Sequence, residues 1–305
     1  MKRLVVVTVL VAIVAWIAPL PTAAQSGGLR YTITVSKFEN RAGWYGSWDI
    51  GDAWGAVMTD LLNQSGRFIV LGEGDMRGAA LAEQDFAASG RTAQGKKAPV
   101  TGQMTPAQLL VKGDITHVQH STSGGDGGIR VKGFRVGGGK DKAEVNATIY
   151  VVDSTTGQVV SSTSVVGKAG RKAGSVAYSG ANFGGDLGAF KKDNVGKAVE
   201  AAVAEAVDWI IAELPNVSWT GTVALIKDGK IYVNRGSREG VSAGQKFVVG
   251  TADVIRDPDT GEVLDESINE VATLQVDSVK EKLSICSVVS GSAGAVERGM
   301  TVHLP

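Results

Sequence analysis

The chain has a single cysteine, Cys286, so no disulfide can form within it and the fold rests on packing and hydrogen bonds. It has no surplus of charge either, since 31 Lys and Arg balance 31 Asp and Glu. With no basic block, the composition points away from nucleic acid as a partner. Histidine is scarce. His117 and His120 stand three apart on an expected strand, hence on opposite faces, where they cannot share a metal. A long apolar run is missing too: Leu4–Ile17 is shorter than the roughly 20 residues a spanning helix needs.

That short run has a different use. Met1-Lys-Arg3 supplies a charged start and Pro19-Leu-Pro-Thr-Ala-Ala24 supplies small residues, so residues 1–24 read as a signal peptide cleaved after Ala24 and the chain as exported. With 305 residues in all, the remainder is long enough for two compact domains.

The first domain reads as alternating strands and helices. Tyr31–Phe38 alternates as a strand, and the loop Glu39–Gly51 follows with Trp44, Tyr45 and Trp48 among glycines. Asp52 is expected to cap a helix whose Trp54, Val57, Met58, Leu61 and Leu62 form one apolar stripe. A strand at Phe68–Leu71, a helix at Asp75–Ala88 and a helical turn from Thr105 through Pro106 lead to a strand at Leu109–His117. The order β-α-β-α-β is that of an α/β layer domain. Strands at Glu144–Asp153 and Gln158–Val166 continue it. A long helix from Asp193 or Asn194 to Leu214 carries the stripe Val195, Val199, Val203, Ala206, Ile210 and Leu214, and Pro215 ends it.

Glycine is abundant, at 41 residues, and it is concentrated in two places. Between Ser121 and Lys142 lie Gly124, Gly125, Gly127, Gly128, Gly133, Gly137, Gly138 and Gly139, yet Ile129 and Val131 still alternate with Arg130 and Lys132. A core strand rarely tolerates so much glycine. The segment reads as an amphipathic hairpin with its tip at Gly137–Lys142. Thr163–Phe190 is a second such stretch, with a tip at Gly170–Gly174. Its arms have about the 9–11 residues that cross a bilayer as tilted strands.

The order Leu109–Ile115 (LLVKGDI), Gly-rich hairpin, Val145–Ser162 (VNATIYVVDSTTGQVVSS) resembles the CsgG family, the curli-secretion channel proteins of the bacterial outer membrane. The resemblance runs from about Leu29 to Leu214. It implies a periplasmic α/β domain over residues 25–215, with membrane-inserting hairpins at about 119–152 and 160–191. It further implies a homo-oligomeric ring, a secreted polypeptide substrate, periplasmic accessory proteins and a location in the periplasm and outer membrane. In such channels the loop after the first strand narrows the pore, a role that would fall to Trp44, Tyr45 and Trp48. Family members commonly carry a lipid-modified cysteine after the signal peptide, and no cysteine stands there in this sequence.

From Asn216 onward the pattern changes to short strands with turns between them: Thr222–Ile226, Ile231–Asn234, Lys246–Gly250, Val271–Val279 and Leu283–Val289. Residues 216–305 therefore read as a small all-β barrel or sandwich. Gly221 to Phe247 followed by Asp257-Pro-Asp-Thr-Gly-Glu262 looks like the C-terminal module of the flagellar assembly protein FlgT. That module is SH3-like and usually an adaptor. The expected fold class is thus mixed α/β with a C-terminal β-barrel.

No enzyme is legible. Gly72, Gly74 and Gly78 have the wrong spacing for a dinucleotide fingerprint, and Gly137-Gly-Gly-Lys140 lacks the rest of a phosphate loop. Asp259-Thr-Gly261 follows Pro258 and reads as a turn rather than half of an aspartic-protease pair. No cofactor, metal or catalytic residue is expected. Two function classes remain, an outer-membrane secretion pore and a soluble periplasmic adaptor for cell-envelope or flagellar assembly.

Overall fold

The structure is a computed structural model that describes residues 29–305 apart from 94, 122–128, 132–133, 137–141, 170–186 and 262. The expected signal peptide lies outside the described residues. In chain order the first domain contains β1 (Tyr31–Val35), β2 (Glu39–Asn40), α1 (Ile50–Gln64), β3 (Phe68–Val70), α2 (Gly74–Ala88), β4 (Leu109–Ser121), β5 (Ile129–Val131), β6 (Phe134–Val136), β7 (Lys142–Asp153), β8 (Val159–Ala169), α3 (Leu187–Lys192) and α4 (Asn194–Glu213). The sheet order is β3-β1-β4-β7-β8, with β2 paired to the middle of β4. β1 runs parallel to both β3 and β4, and β7 runs antiparallel to both β4 and β8.

The stripes read from the sequence are the ones that build the core. Trp54, Val57, Met58 and Leu62 of α1 are fully buried, while Leu61 is half-buried. All six apolar stripe positions of α4 are buried against the sheet. Each such aliphatic side chain contributes about 1.5–3 kcal/mol relative to exposure. Under α4, β7 buries Ala143, Val145, Ala147, Ile149 and Val151 and leaves Asn146, Thr148 and Tyr150 half-covered on its other face. Strand periodicity demands that split. Gly167 of β8 shows how closely α4 lies on the sheet: a Cβ there would come within 1.8 Å of the Ala198 carbonyl oxygen.

Two local expectations need correction. The cap of α1 is Asp49, not Asp52: the Asp49 carboxylate accepts the Asp52 N–H at 2.8 Å, which satisfies one of the free donors of the first turn. The segment around Thr105 and Pro106 is not helical. There the Thr32 hydroxyl donates to the Pro106 carbonyl and the Gln108 side chain accepts the Thr32 N–H, so tertiary bonds to β1 hold it extended. Of the expected hairpin tip at Gly137–Lys142, all but Lys142 lies outside the described residues; Lys142 opens β7 and pairs with Ser121, while β5 and β6 pair Ile129 with Val136 and Val131 with Phe134.

The hairpin boundaries also shift. Residues 142–152 of the first belong to the domain sheet beneath α4, and most of 122–141 lies outside the described residues. Of the second, Val160–Ala169 is sheet and Leu187–Lys191 is helix, because Phe190 is fully buried in the core. Residues 170–186 lie outside the described residues.

The second unit contains β9 (Thr220–Lys227), β10 (Lys230–Val233), β11 (Lys246–Arg256), β12 (Val263–Val279), β13 (Ser284–Gly291) and β14 (Thr301–His303). They close into an antiparallel barrel in the order β10-β13-β12-β11-β14-β9. Its interior holds Val223, Val233, Phe247, Leu274, Val276 and Cys286, with Trp219 stacked on Phe247 at 5.3 Å. Burial pushes the Cys286 thiol up to about 11. The barrel is joined to the first domain: the Tyr31 hydroxyl donates to the Val217 carbonyl at 2.6 Å, and the Arg30 N–H to the Glu239 carbonyl at 2.8 Å. At the β11–β12 tip the Asp257 carboxylate accepts the N–H groups of Asp259 and Thr260, and Gly261 adopts a φ of 75°. Asp259-Thr-Gly261 is therefore turn structure.

Candidate functional site in the aromatic loop

The loop from Glu39 to Asp49 is braced at both ends before its aromatic residues are reached. At its root, β2 pairs Glu39 with Asp114 and Asn40 with Ile115. Arg41 contacts Glu39 at 3.1 Å and Asp114 at 3.2 Å. Beneath, Phe38 stacks on Trp54 at 5.3 Å. Gly113 makes room for that ring, since a Cβ there would lie 2.2 Å from Phe38 Cε1. At the other end Lys37 reaches Asp52 at 2.7 Å and Asp49 at 3.4 Å. The bond to the Asp52 carboxylate holds the Lys37 ammonium above its usual range. Apart from Asp114, which is half-buried, the partners are exposed, and such exposed pairs each add little stability. Their effect is to fix where the loop starts and ends.

Inside the loop, Asn40 folds the chain back on itself. Its amide donates to the Trp44 carbonyl at 2.6 Å and its side-chain oxygen accepts the Trp44 N–H at 3.4 Å. Gly43 takes a φ of 65° at the bend. The Trp44 ring lies over Gly46, where a Cβ would sit 2.0 Å from Trp44 Cη2. From Trp44 an aromatic chain runs inward: Trp44 to Trp48 with centroids 4.6 Å apart, then Trp48 to Phe190 edge-on at 5.0 Å.

The three residues singled out in the sequence therefore occupy three depths. Trp48 is 5% exposed, Trp44 is half-buried, and Tyr45 is 92% exposed at the loop crest. Trp44 and Trp48 are brought together, and Tyr45 stands apart from them. Two residues that the sequence reading missed complete the arrangement. Phe190 is far away in the chain and gives no local signal. Asn40 is a polar residue two places after Phe38, and its role is visible only once the loop is folded.

A cleft of about 310 Å³ lies along the loop, at the small end for a ligand site. Two of its polar side chains, Asn40 and Asp49, are engaged with the loop's own backbone. The loop thus presents one free aromatic ring on a rigid base. Among the described residues no group of three His, Cys, Asp or Glu side chains could hold a metal.

The site thus sits on a mixed α/β domain whose long β4–β7 pair leads into glycine-rich sequence and which is joined to a closed barrel. The family model for CsgG, curli production assembly/transport component, matches residues 21–243, and the chain belongs to the CsgG family. That match reaches beyond the resemblance seen in the sequence and into the barrel. Comparison with curated protein sequences finds no match. Among solved structures, the hypothetical protein CT253 from Chlamydia trachomatis is 12% identical, covering 62% of this chain and 99% of its own, with a TM-score of 0.37. The PelC dodecamer from Paraburkholderia phytofirmans is 12% identical over 58% and 86%, with a TM-score of 0.30. Lipoprotein GNA1162 from Neisseria meningitidis is 16% identical over 61% and 99%, with a TM-score of 0.27.

Proposed function

We propose that this chain is the subunit of a ring-shaped outer-membrane pore that exports or assembles an extracellular polypeptide. The observation that carries this reading is the β4–β7 ladder. It pairs continuously, with one bulge, from Leu109–Asp153 to Ser121–Lys142. The pairing of Ile129 with Val136 then has nearly the same register, as the two arms of one hairpin extending past the domain would. One chain offers too few strands to close a barrel, and an open sheet edge in lipid leaves backbone groups unpaired. A pore therefore needs several copies, each contributing hairpins from 122–141 and 170–186.

In such a ring the loop crest faces the axis. Tyr45 is then the constricting side chain at the crest, while Trp44 and Trp48 anchor the loop beneath it to Phe190. An unfolded polypeptide would slide past aromatic faces held on this base. The C-terminal barrel, which we take to be FlgT-like and SH3-like, would dock periplasmic accessory proteins. That barrel also favours a second reading, a periplasmic adaptor in envelope or flagellar assembly with no pore.

Carbonate washing of isolated outer membranes separates the two readings. A pore subunit stays with the membrane pellet, and a chain lacking residues 122–141 is released as a folded protein. Release of the full-length chain by the wash supports the adaptor and removes the pore.

A further inference from the structure

The three long strands of the first domain end level with one another. Ser121 of β4 pairs with Lys142 of β7, and Ala143 of β7 pairs with Ala169 of β8. α4 begins at the same end of the sheet. Its last residues lie at the other end, where the Tyr31 hydroxyl holds the Val217 carbonyl and β1 meets β4 at Leu109. Near the start of α4, Ala198 lies over Gly167, two residues before β8 ends. Lys191 and Lys192, which close α3, and Lys197 of α4 therefore stand where both glycine-rich segments leave the domain.

This end is basic. Lys142, Lys168, Lys191, Lys192 and Lys197 are exposed there. The acids beside them among the described residues are Glu144, Asp193 and Glu200, and each is engaged. Glu144 holds Lys168 at 3.3 Å, and Asp193 accepts the Val195 N–H. Burial pushes the Glu200 carboxyl up, against the pull of Lys191 and Lys197 beside it. Asp49 and Asp52 stand lower along the sheet, near the Phe38 carbonyl, and both are shared with Lys37. Lys142 and Lys192 make no ion pair among the described residues. The excess is a segregation within a chain of no net charge: residues 119–144 and 165–200 hold 11 Lys and Arg against 6 Asp and Glu, and the rest holds 20 against 25. Between the strand ends lies a cleft of about 310 Å³, lined by Gln119, Lys142, Glu144 and Lys168 over Ala143 and Ala169.

We propose that this end of the domain seats on the phosphates of anionic lipid headgroups, and that the cleft takes one of them. The Lys142 ammonium and the Gln119 amide donate to that phosphate, and Lys168 is shared between it and Glu144. The occupant is a lipid leaflet because the chain leaves the domain here, at its most basic end, into the segments that the pore reading sends into the membrane. The inference rests on that reading and adds what stops the domain at the surface: the hairpins insert, and the lysines hold the strand ends at headgroup level. Each ammonium near an anionic surface adds attraction that falls off within a Debye length and is screened by salt.

The test uses the full-length protein and phosphatidylcholine vesicles with and without phosphatidylglycerol, read by co-sedimentation. At low salt the triple variant Lys142→Gln, Lys191→Gln, Lys192→Gln should bind anionic vesicles on the order of 100-fold more weakly than the unchanged chain. The same three positions changed to Arg should keep full binding. High salt, or neutral vesicles, should erase the difference. Lys227→Gln, Lys246→Gln and Lys282→Gln together, on the barrel, should change nothing. All six side chains are exposed, so each variant is expected to melt as the unchanged protein does. A glutamine variant that binds anionic vesicles as the unchanged chain does, or an equal loss from the barrel variant, overturns the seat and leaves the pore standing. Release of the chain by inorganic phosphate at matched ionic strength makes the cleft a free-phosphate site and overturns the lipid assignment. Salt-sensitive binding to anionic vesicles that a carbonate wash fully reverses supports the seat and removes the pore. An unchanged chain that binds neither kind of vesicle overturns both.

Discussion

Residues named for one role divide, once folded, between two. Trp44, Tyr45 and Trp48 read alike in the sequence, as large aromatics in a glycine-flanked loop, and nothing local distinguishes them. What separates them is Phe190, which takes the edge of Trp48 into the core and leaves Tyr45 at the crest. Trp48→Ala should therefore cost about 3–5 kcal/mol in denaturant unfolding, as a buried aromatic truncated to a cavity does. Tyr45→Ala should change stability by less than about 0.5 kcal/mol. Equal losses at the two positions would contradict the assignment of depth. Glu73, at the start of α2, gives a pH prediction. Burial first, and the neighbouring Asp75 second, push its carboxyl above the usual range. A raised folded value means that the native state binds the proton more tightly than the unfolded chain. The stabilising contribution is then full below the unfolded pKa and is lost as pH rises through the folded one. Glu73→Gln should accordingly raise the melting temperature at pH 7, and the gain should vanish at pH below about 4. A gain that persists unchanged into acid would assign the effect to packing instead.

Elements were legible in proportion to their periodicity. α4 could be read almost to its ends because its apolar positions recur every three or four residues and Asp193 caps it, accepting the Val195 N–H at 3.0 Å. The central strands were legible for the same reason, since Val145 to Val151 alternates strictly. The β11–β12 ribbon was not, because Asp253, Asp265 and Glu270 interrupt the strand pattern beyond Gly250 and before Val271. β14 has three residues, too few to show a period, and only the closure of the barrel reveals it. The cap of α1 was misplaced by three residues, since Asp49 and Asp52 are both good capping residues and the loop geometry decides between them. Gly167, like Gly113, marks a close approach of elements. Its missing Cβ lets α4 lie directly on β8, so Gly167→Ala should destabilise the domain by about 1–3 kcal/mol as α4 is pushed outward. A neutral substitution, measured by urea unfolding, would mean that the helix can shift at no cost.

At the scale of the whole molecule, the family and the β-barrel of the C-terminal region were visible in the sequence, because strand order, the bracketed glycine-rich stretch and the change of pattern after Pro215 are all features of the chain itself. The assembly was not visible in the same way. The central claim is that copies join and that their glycine-rich hairpins together line a pore. Single-channel recording in planar bilayers tests it most directly, with the detergent-purified oligomer compared against the oligomer lacking residues 122–141. The account predicts discrete, uniform conductance steps from the full chain and none from the shortened one, with both proteins giving the same thermal transition for the α/β domain. Conductance steps that survive the deletion, or a full-length oligomer that inserts no channels at any protein concentration, would contradict it.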